Sequence, residues 1–185
     1  MLSDKEILQE IEKGNIVIDP FERKNLGSNS YDVTLSKKFK TYDIAYIGGD
    51  LDIKKKNELY EFEINDKGYR LLPNILYLAV TNEYTETYNL APMINGRSSL
   101  GRLGLSIHQT AGFGDAGFKG QWTLEITVIH PIIIYPDIRI AQVCWFKLGE
   151  VLTSYDKKIS AKYNASKNEG VIESRIYKDL QGDNK

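Results

Sequence analysis

The sequence predicts a mainly β protein, and three observations lead to this class. Short segments rich in β-branched and aromatic residues follow one another along the chain, Pro, Gly, Asn and Asp separate them, and helical periodicity occurs only near the N-terminus. This pattern is typical of a sandwich, a jelly roll or a small barrel. With 185 residues, of which 42% are hydrophobic, the chain is long enough for one domain with a buried core.

The first predicted element is a short N-terminal helix in SDKEILQEIEKG (3–14). Ser3 can act as its N-cap, and Glu6 completes a Ser-x-x-Glu capping box. Gly14 supplies a C-terminal stop signal. Apolar residues at helical spacing give the segment one face that can pack on a sheet.

The following segments are predicted as strands, in chain order: NIVID (15–19), SYDVTLSKKFKTYD (30–43), ELYEFEI (58–64), YRLLP (69–73), ILYLAVTNEYTE (75–86), SIHQT (106–110), WTLEITVI (122–129), IIIYP (132–136) and RIAQVCWFKL (139–148). The stretch TNEYTETYNLAPMING (81–96) is predicted to contain the least regular connection. No internal repeat interrupts this series.

The net charge and the charged N-terminal residues argue against several kinds of partner. With 24 basic and 25 acidic residues the net charge is −1, so the chain has no broad basic surface for a nucleic acid or an anionic membrane. The N-terminus is charged where a signal peptide would be apolar, and no apolar run reaches the length of a membrane span. The sequence therefore predicts a cytoplasmic protein that binds any anion locally.

Cysteine and histidine content limits the available chemistry. Cys144 is the single cysteine, which excludes an internal disulfide framework and fits a core thiol in a reducing compartment. Zinc deaminases of nucleobases need a His or Cys ligand followed by a Cys-x-x-Cys pair, which Cys144, His108 and His130 cannot supply. We expect both histidines to be structural and no zinc to bind, so that carboxylates must activate water.

One run, INGRSSLGRLGLSIHQTAGFGDAGFKGQWTLE (94–125), holds seven of the fifteen glycines. In its first half, Arg97, Ser98 and Ser99 combine a guanidinium fork, hydroxyls and glycine-freed backbone N–H groups, a set that suits a polyphosphate. No Walker motif is present. The alternative, which the spacing leaves open, is a turn with Arg102 paired to the body of the protein.

The second half of the run places Gly112, Gly114 and Gly117 around Asp115. This spacing predicts a tight hairpin whose backbone faces a ligand, and free N–H and C=O groups there can read the edge of a flat base. The alternative for Asp115 is a turn residue that bonds its own backbone.

Glu125 lies between strongly apolar residues in WTLEITVI. A strand that buries Leu124 and Ile126 would place Glu125 in or beside a protected cleft, where a carboxylate needs a partner or a function. Two interpretations remain open at this point. One is a structural pair with Arg97 or Arg102, and the other is a general base.

The C-terminal part, residues 153–185, is poor in apolar residues and rich in Lys, Ser, Asn and Gly. It is either a solvated tail or a lid that orders over a bound anion. The second interpretation would use Lys162, Tyr163, Arg175 and Lys178.

These motifs resemble the trimeric dCTP deaminases, which are homologous to dUTPases. GRSSLGRLGL (96–105) and TAGFGDAGFKGQWTLE (110–125) are similar to the two most diagnostic motifs of that family. Weaker similarities are SYDVTL (30–35), RIAQVCWFKL (139–148), AKY (161–163) and SRIYKD (174–179). The resemblance implies a distorted jelly roll or β-barrel over residues 1–152, a C-terminal lid over 153–185, and a homotrimer with active sites at its interfaces.

By motif position, the resemblance implies a role for each catalytic residue. Glu125 would be the general base, and Ser98 with the main-chain carbonyl of Ala111 would hold the attacking water. Arg102 would orient Glu125 and balance its charge. Asp115 would bind the deoxyribose 3′-hydroxyl.

The resemblance also implies the contacts to the nucleotide. The base and sugar would be met by Thr110, Gly112, Phe113 and Asp115. The triphosphate would be met by Arg97, Ser98, Ser99, Gln142, Lys162, Tyr163 and Lys178. Mg²⁺ would be carried by the phosphates and not by protein side chains, and dTTP would be a feedback inhibitor.

Within the family, the pair that follows Thr-Ala separates two activities. Members that only deaminate tend to carry His-Arg, whereas members that also cleave the triphosphate tend to carry Gly-Phe or Gly-Trp, and this sequence has Gly112 and Phe113. The expected reaction is therefore dCTP to dUMP, ammonia and pyrophosphate, which supplies a dTTP precursor, with Asp115 and Glu125 both serving the hydrolytic step. Gly114 departs from the branched aliphatic residue that is usual in the family. The alternatives are a deaminase that gives dUTP, a plain dUTPase, and a catalytically silent nucleotide-sensing protein.

Overall fold

The computed structural model describes residues 1–42, 49–110 and 112–181, and this part of the chain is mainly β, as predicted. The strands are β1 (Ile16–Asp19), β2 (Tyr31–Thr41), β3 (Tyr60–Glu63), β4 (Tyr69–Leu71), β5 (Tyr77–Thr87), β6 (Leu90–Gly96), β7 (Leu105–Ser106), β8 (Lys119–Val128), β9 (Ile132–Ile134) and β10 (Arg139–Lys147). The helices are α1 (Asp4–Glu12), α2 (Ser98–Gly101) and α3 (Tyr177–Gln181), and short 3₁₀ turns occupy Arg23–Asn25 and Tyr155–Lys157.

The N-terminal helix α1 forms with the predicted capping box. The Ser3 side chain accepts from the Glu6 N–H, while the Glu6 carboxylate accepts from the Ser3 N–H. Gly14 follows the helix with φ of +76°, a conformation that favours glycine. The helix buries Ile7 completely against the sheet.

The strands form one curved sheet in the order β6, β10, β2, β5, β8, β7, with β1 added to β5 and β3 added to β2. All the described pairings are antiparallel, and the result is a nearly closed, barrel-like sheet. A separate two-stranded sheet joins β4 to β9. In β8 the even-numbered residues, among them Trp122, Leu124 and Ile126, point into the core, so the odd-numbered residues face outward.

Two local expectations were wrong, and two short helices were not predicted. The predicted irregular connection at 81–96 contains all of β6, which buries Leu90 and Ile94 and pairs with β10. Pro92 weakened the strand signal, but β6 is the end strand of the sheet path, where proline is tolerated. In SIHQT only Ser106 is in a strand, and the helices α2 and α3 were not predicted because each is very short.

Candidate active site

A cavity of about 500 Å³ lies beside β8. Its walls come from β5 and β8, from the segment that follows His108, from the hairpin around Asp115, and from the C-terminal tail. This volume is typical of a small-molecule site. The cavity contains the sequence-predicted residues Thr110, Gly112, Phe113, Asp115, Glu125 and Tyr163.

Glu125 reaches the cavity because of strand alternation. Gln121, Thr123 and Glu125 occupy the outer face of β8, and all three line the cavity. Glu125 is half-buried, and its Oε2 accepts a hydrogen bond from the Gln109 N–H at 2.9 Å. No ion pair with Glu125 is found in the part of the chain that the structure describes. The structural pair with Arg97 or Arg102 is therefore not formed within this chain.

His108 also lines the cavity, although the sequence indicated only a structural role. Burial lowers the pKa of His108, although the nearby Glu125 carboxylate opposes this effect. Its buried Nε2 atom has no hydrogen-bond partner among the described residues. The sequence signal for this placement was its position two residues before Thr110, within the same glycine-rich run.

The hairpin glycines are required by close approach of backbone and side chains. A Cβ atom at Gly112 would lie 1.8 Å from the Ile94 carbonyl oxygen, and a Cβ atom at Gly114 would lie 2.6 Å from the Trp122 ring. Tight packing on Trp122 thus accounts for the departure at Gly114 from a branched aliphatic residue. The Ile94 N–H donates to the Gly112 carbonyl at 2.8 Å, which fixes the hairpin on β6.

Asp115 begins a four-residue turn. The Phe118 N–H donates to the Asp115 carbonyl at 3.1 Å, and Gly117 has φ of +91°, as a type II turn requires. The Asp115 carboxylate is exposed at the cavity and lies 3.4 Å from Lys158 Nζ. Asp115 is therefore a turn residue whose side chain remains available to a ligand.

We expect Gly112→Ala to lower kcat/KM for dCTP, the substrate that the resemblance implies, about a hundredfold, because a shift of about 1 Å in a reacting group can cost that much. The added methyl would also lie 2.7 Å from His108 Nε2, so the hairpin must move. Steady-state kinetics with dCTP would measure the loss. Gly149→Ala is the matched control, because a Cβ atom there meets nothing within 4 Å. Equal kinetics for the two variants would contradict the prediction.

A second group of polar residues lies on, or directly next to, the neighbouring strands β2, β10 and β6 and is called the polar face below. It comprises Ser30, Asp32, Asn95, Arg97, Arg139 and Gln142. On this face Gln142 of β10 is paired with Asp32 of β2 on one side and with Asn95 of β6 on the other. Gln142 Nε2 donates to the Ser30 hydroxyl at 3.4 Å.

The residues predicted for one site therefore fall in two places within the single chain. Outside the cavity lining lie Arg97, Ser98, Ser99, Arg102 and Gln142. Ser98 and Ser99 are exposed at the start of α2, and Arg102 is exposed at its end. Ala111, predicted to hold the attacking water, lies outside the described residues.

The tail packs first on the hairpin. The Tyr155 N–H donates to the hairpin main chain at 2.7 Å, and its hydroxyl accepts from the N–H groups of Lys162 and Tyr163, each at 3.0 Å. Tyr163 lines the cavity, whereas the Lys162 ammonium group contacts Asp179. Lys178 is exposed and lies outside the cavity lining.

Further along, the tail covers one wall of the cavity. Val171 is buried and packs against Leu78 and Val80 on the outer face of β5. The Ile172 N–H donates to the Thr123 hydroxyl of β8 at 3.2 Å. Val171 of the tail therefore forms, with Leu78 and Val80, a small apolar cluster that is separate from the main core.

An ion-pair network holds Glu173, the residue that follows Ile172 in the tail. Glu173 lies 3.1 Å from Lys40 Nζ and 3.2 Å from Lys56 Nζ. Burial alone would raise the pKa of Glu173, but a backbone N–H and the two ammonium groups outweigh it and lower the pKa to about 2. Glu173 therefore remains ionised and paired at neutral pH.

Among the described residues, no group of three or more His, Cys, Asp or Glu side chains is arranged to hold a metal ion. Over the same described ranges, no helix has both the length and the apolar character needed to cross a bilayer.

The fold and the cavity define a barrel-type β protein with a carboxylate-bearing small-molecule site. The sequence matches the dCTP deaminase-like family over residues 1–148. It is 42% identical over 181 residues to a protein of Leptospira biflexa serovar Patoc named dCTP deaminase, dUMP-forming, with 98% of each chain covered. It is 45% identical over 180 residues to a Clostridium acetobutylicum protein of the same name, with 97% of this chain and 98% of the relative covered. The chain belongs to the dCTP deaminase-like family.

A solved structure with a similar fold is the 2′-deoxycytidine 5′-triphosphate deaminase from Agrobacterium tumefaciens. The TM-score is 0.62 at 18% sequence identity, and the match covers 82% of this chain. It covers 49% of that solved chain, so the similarity spans about half of its length.

Proposed function

We propose that the protein deaminates dCTP and cleaves the triphosphate, giving dUMP, ammonia and pyrophosphate. The observation that carries this proposal is the Glu125 carboxylate, which faces the cavity without a cationic partner among the described residues. The names of the two relatives, each similar over nearly its full length, support the same reaction.

Glu125 acts as the general base of the deamination. It takes a proton from a water molecule that attacks C4 of the cytosine, and it delivers protons to N3 and then to the leaving ammonia. The hairpin backbone at Gly112 holds the base edge, and the Asp115 carboxylate accepts from the 3′-hydroxyl. A prearranged carboxylate can run this proton shuttle in a site from which bulk water is excluded.

The Gly112 and Phe113 pair favours the dUMP-forming reaction over release of dUTP. After deamination the nucleotide stays in place, and water attacks the α-phosphorus as the bond to the β-phosphate breaks. Pyrophosphate leaves, and Asp115 and Glu125 handle the protons of this second step. A deaminase that stops at dUTP is the second candidate.

The active site assembles in a homotrimer from the cavity of one chain and from the polar face and adjoining α2 segment of another, where Ser98 and Arg102 lie. The separation of Glu125 from Ser98 and Arg102 within one chain supports this arrangement. Leu103 and Ile129 are also consistent with it. They are 56% and 72% exposed, and Gly104, the residue after Leu103, packs closely against Ile129. In a homotrimer we expect a neighbouring chain to cover such exposed apolar side chains.

Mg²⁺ enters with the triphosphate. The polar face offers guanidinium, amide and hydroxyl donors. Its carboxylate, Asp32, is already ion-paired with Arg97 and Arg139. This donor set fits phosphates that bring their own cation, which is a common mode of Mg²⁺ binding. The ion offsets phosphate charge, while Arg97, Ser98, Ser99 and Gln142 orient the phosphate oxygens.

The tail acts as a lid that keeps bulk water out of the cavity. We expect Val171→Asp to release it, because a carboxylate cannot be buried beside Leu78 and Val80 without a partner. KM for dCTP should rise about five- to tenfold, and proteolysis within the tail should accelerate, as for a segment of low local stability. Val151→Asp is the control, since Val151 is already 43% exposed. Identical proteolysis of both variants would rule out the lid contact.

The product mixture from dCTP and Mg²⁺ tests the proposed function. We expect dUMP and pyrophosphate to form in equal amounts, with no build-up of dUTP. Accumulated dUTP without pyrophosphate would assign a simple deaminase. Cleavage of dUTP with dCTP left intact would assign a dUTPase, and inertness toward both would leave a nucleotide-sensing protein.

A further inference from the structure

Two arginines of the polar face share one carboxylate oxygen. Asp32 Oδ2 lies 3.4 Å from Arg97 Nη2 and 3.2 Å from Arg139 Nη1. The Asp32 side chain is 11% exposed, whereas those of Arg97 and Arg139 are 30% and 44% exposed. The carboxylate is therefore inside the protein, while both guanidinium groups reach the solvent.

Arg139 points to this face because of an irregularity in β10. Residues three apart in a regular strand face opposite sides of a sheet, which would turn Arg139 away from Gln142. The register between β10 and β2 shifts between Arg139 and Ala141. A bulge of this kind redirects a side chain, and here Arg139 bonds Asp32, the cross-strand partner of Gln142.

The shared carboxylate determines what the two arginines can do. Without a common anion, two adjacent guanidinium groups would repel each other and separate. Each guanidinium has five N–H donors, and Asp32 engages only a small part of them. Two cations and one anion leave the cluster with a net positive charge, so the remaining donors form a preorganised fork for an anion with several oxygens.

We propose that Arg139 is a further triphosphate-binding residue and that Asp32 is the positioning residue that holds it beside Arg97. This inference rests on the proposed function, in which Arg97 and Gln142 bind the triphosphate. Arg139 approaches the phosphates from the same face as those two residues. Asp32 acts only through the arginines and does not touch the reacting atoms.

The test compares Arg139→Gln, Arg139→Lys and Asp32→Asn in the full-length chain with Mg²⁺. The dissociation constant of inorganic tripolyphosphate and the KM for dCTP should rise about tenfold in Arg139→Gln, the equivalent of one charge-assisted hydrogen bond. Binding of deoxycytidine, which has no phosphates, should not change. Arg139→Lys should recover only part of the affinity, since it keeps the charge but loses the fork.

The control is Arg70→Gln, which removes the same charge from an exposed position on β4. Asp32→Asn should weaken tripolyphosphate binding, and adding Arg139→Gln to it should then cost much less than in the native background. If the cluster were purely structural, these substitutions would lower the melting temperature of the protein and leave tripolyphosphate binding intact.

Native tripolyphosphate affinity in folded Arg139→Gln would overturn the inference. Failure of the native protein to convert dCTP would instead reject the proposed function, while the tripolyphosphate measurement would still decide the role of Arg139.

Discussion

Glu125→Gln should abolish dCTP turnover while dCTP binding survives. The amide keeps the shape of the side chain and can still accept the hydrogen bond from the Gln109 N–H. It cannot take a proton from water, and loss of a positioned base costs about 10² to 10⁴ in rate. The expected signature is a fall in kcat of this size with a nearly unchanged dissociation constant for dCTP.

Glu150→Gln is the matched control, because Glu150 is exposed and distant in sequence from both motifs. Ammonia release measures turnover, and calorimetry with dCTP measures binding. Full turnover in Glu125→Gln would remove Glu125 from its role as the base. Loss of both binding and turnover would indicate that the carboxylate mainly supports the cavity.

Much of the fold was predictable because its signals are local. Alternation in WTLEITVI places Leu124 inward and Glu125 outward, and the structure confirms both sides of β8. The helix α1 carries its cap in its own sequence. By contrast, β6 contains Pro92 and depends on pairing with β10 about fifty residues away, so no local pattern could reveal it.

Some features of the candidate site were likewise predictable from the sequence, and others were not. The glycine hairpin could be predicted from its glycine spacing, and the structure supplies the reason: the Ile94 backbone approaches Gly112 and the Trp122 ring approaches Gly114. The Asp32 cluster could not, because it depends on the register of β2 and β10 and on a bulge. The Glu173 contacts with Lys40 likewise arise only from tertiary packing, whereas the position of His108 in the cavity wall had a weak local signal in its proximity to Thr110.

The division of the site between cavity and polar face leads to a sharp prediction for subunit mixing. Chains with Glu125→Gln and chains with both Ser98→Ala and Arg102→Gln should each be inactive alone. If a site combines the cavity of one chain with the polar face and the adjoining α2 segment of another, which carries Ser98 and Arg102, mixed trimers contain sites with two native halves. In a closed cyclic trimer that contains both kinds of chain, one of the three sites has two native halves, so the mixed trimers should show about a third of native activity.

Differently tagged chains, coexpressed and purified through both tags, would provide the mixed trimers for this measurement. The control mixes Glu125→Gln with Gly112→Ala, two changes in the cavity half, so every site inherits a defective cavity and no activity should return. Sedimentation should show a trimer in each preparation. Absence of recovery in the first mixture would mean that each site is built within one chain, with Ser98 and Arg102 brought to Glu125 by a conformational change instead of by a neighbour.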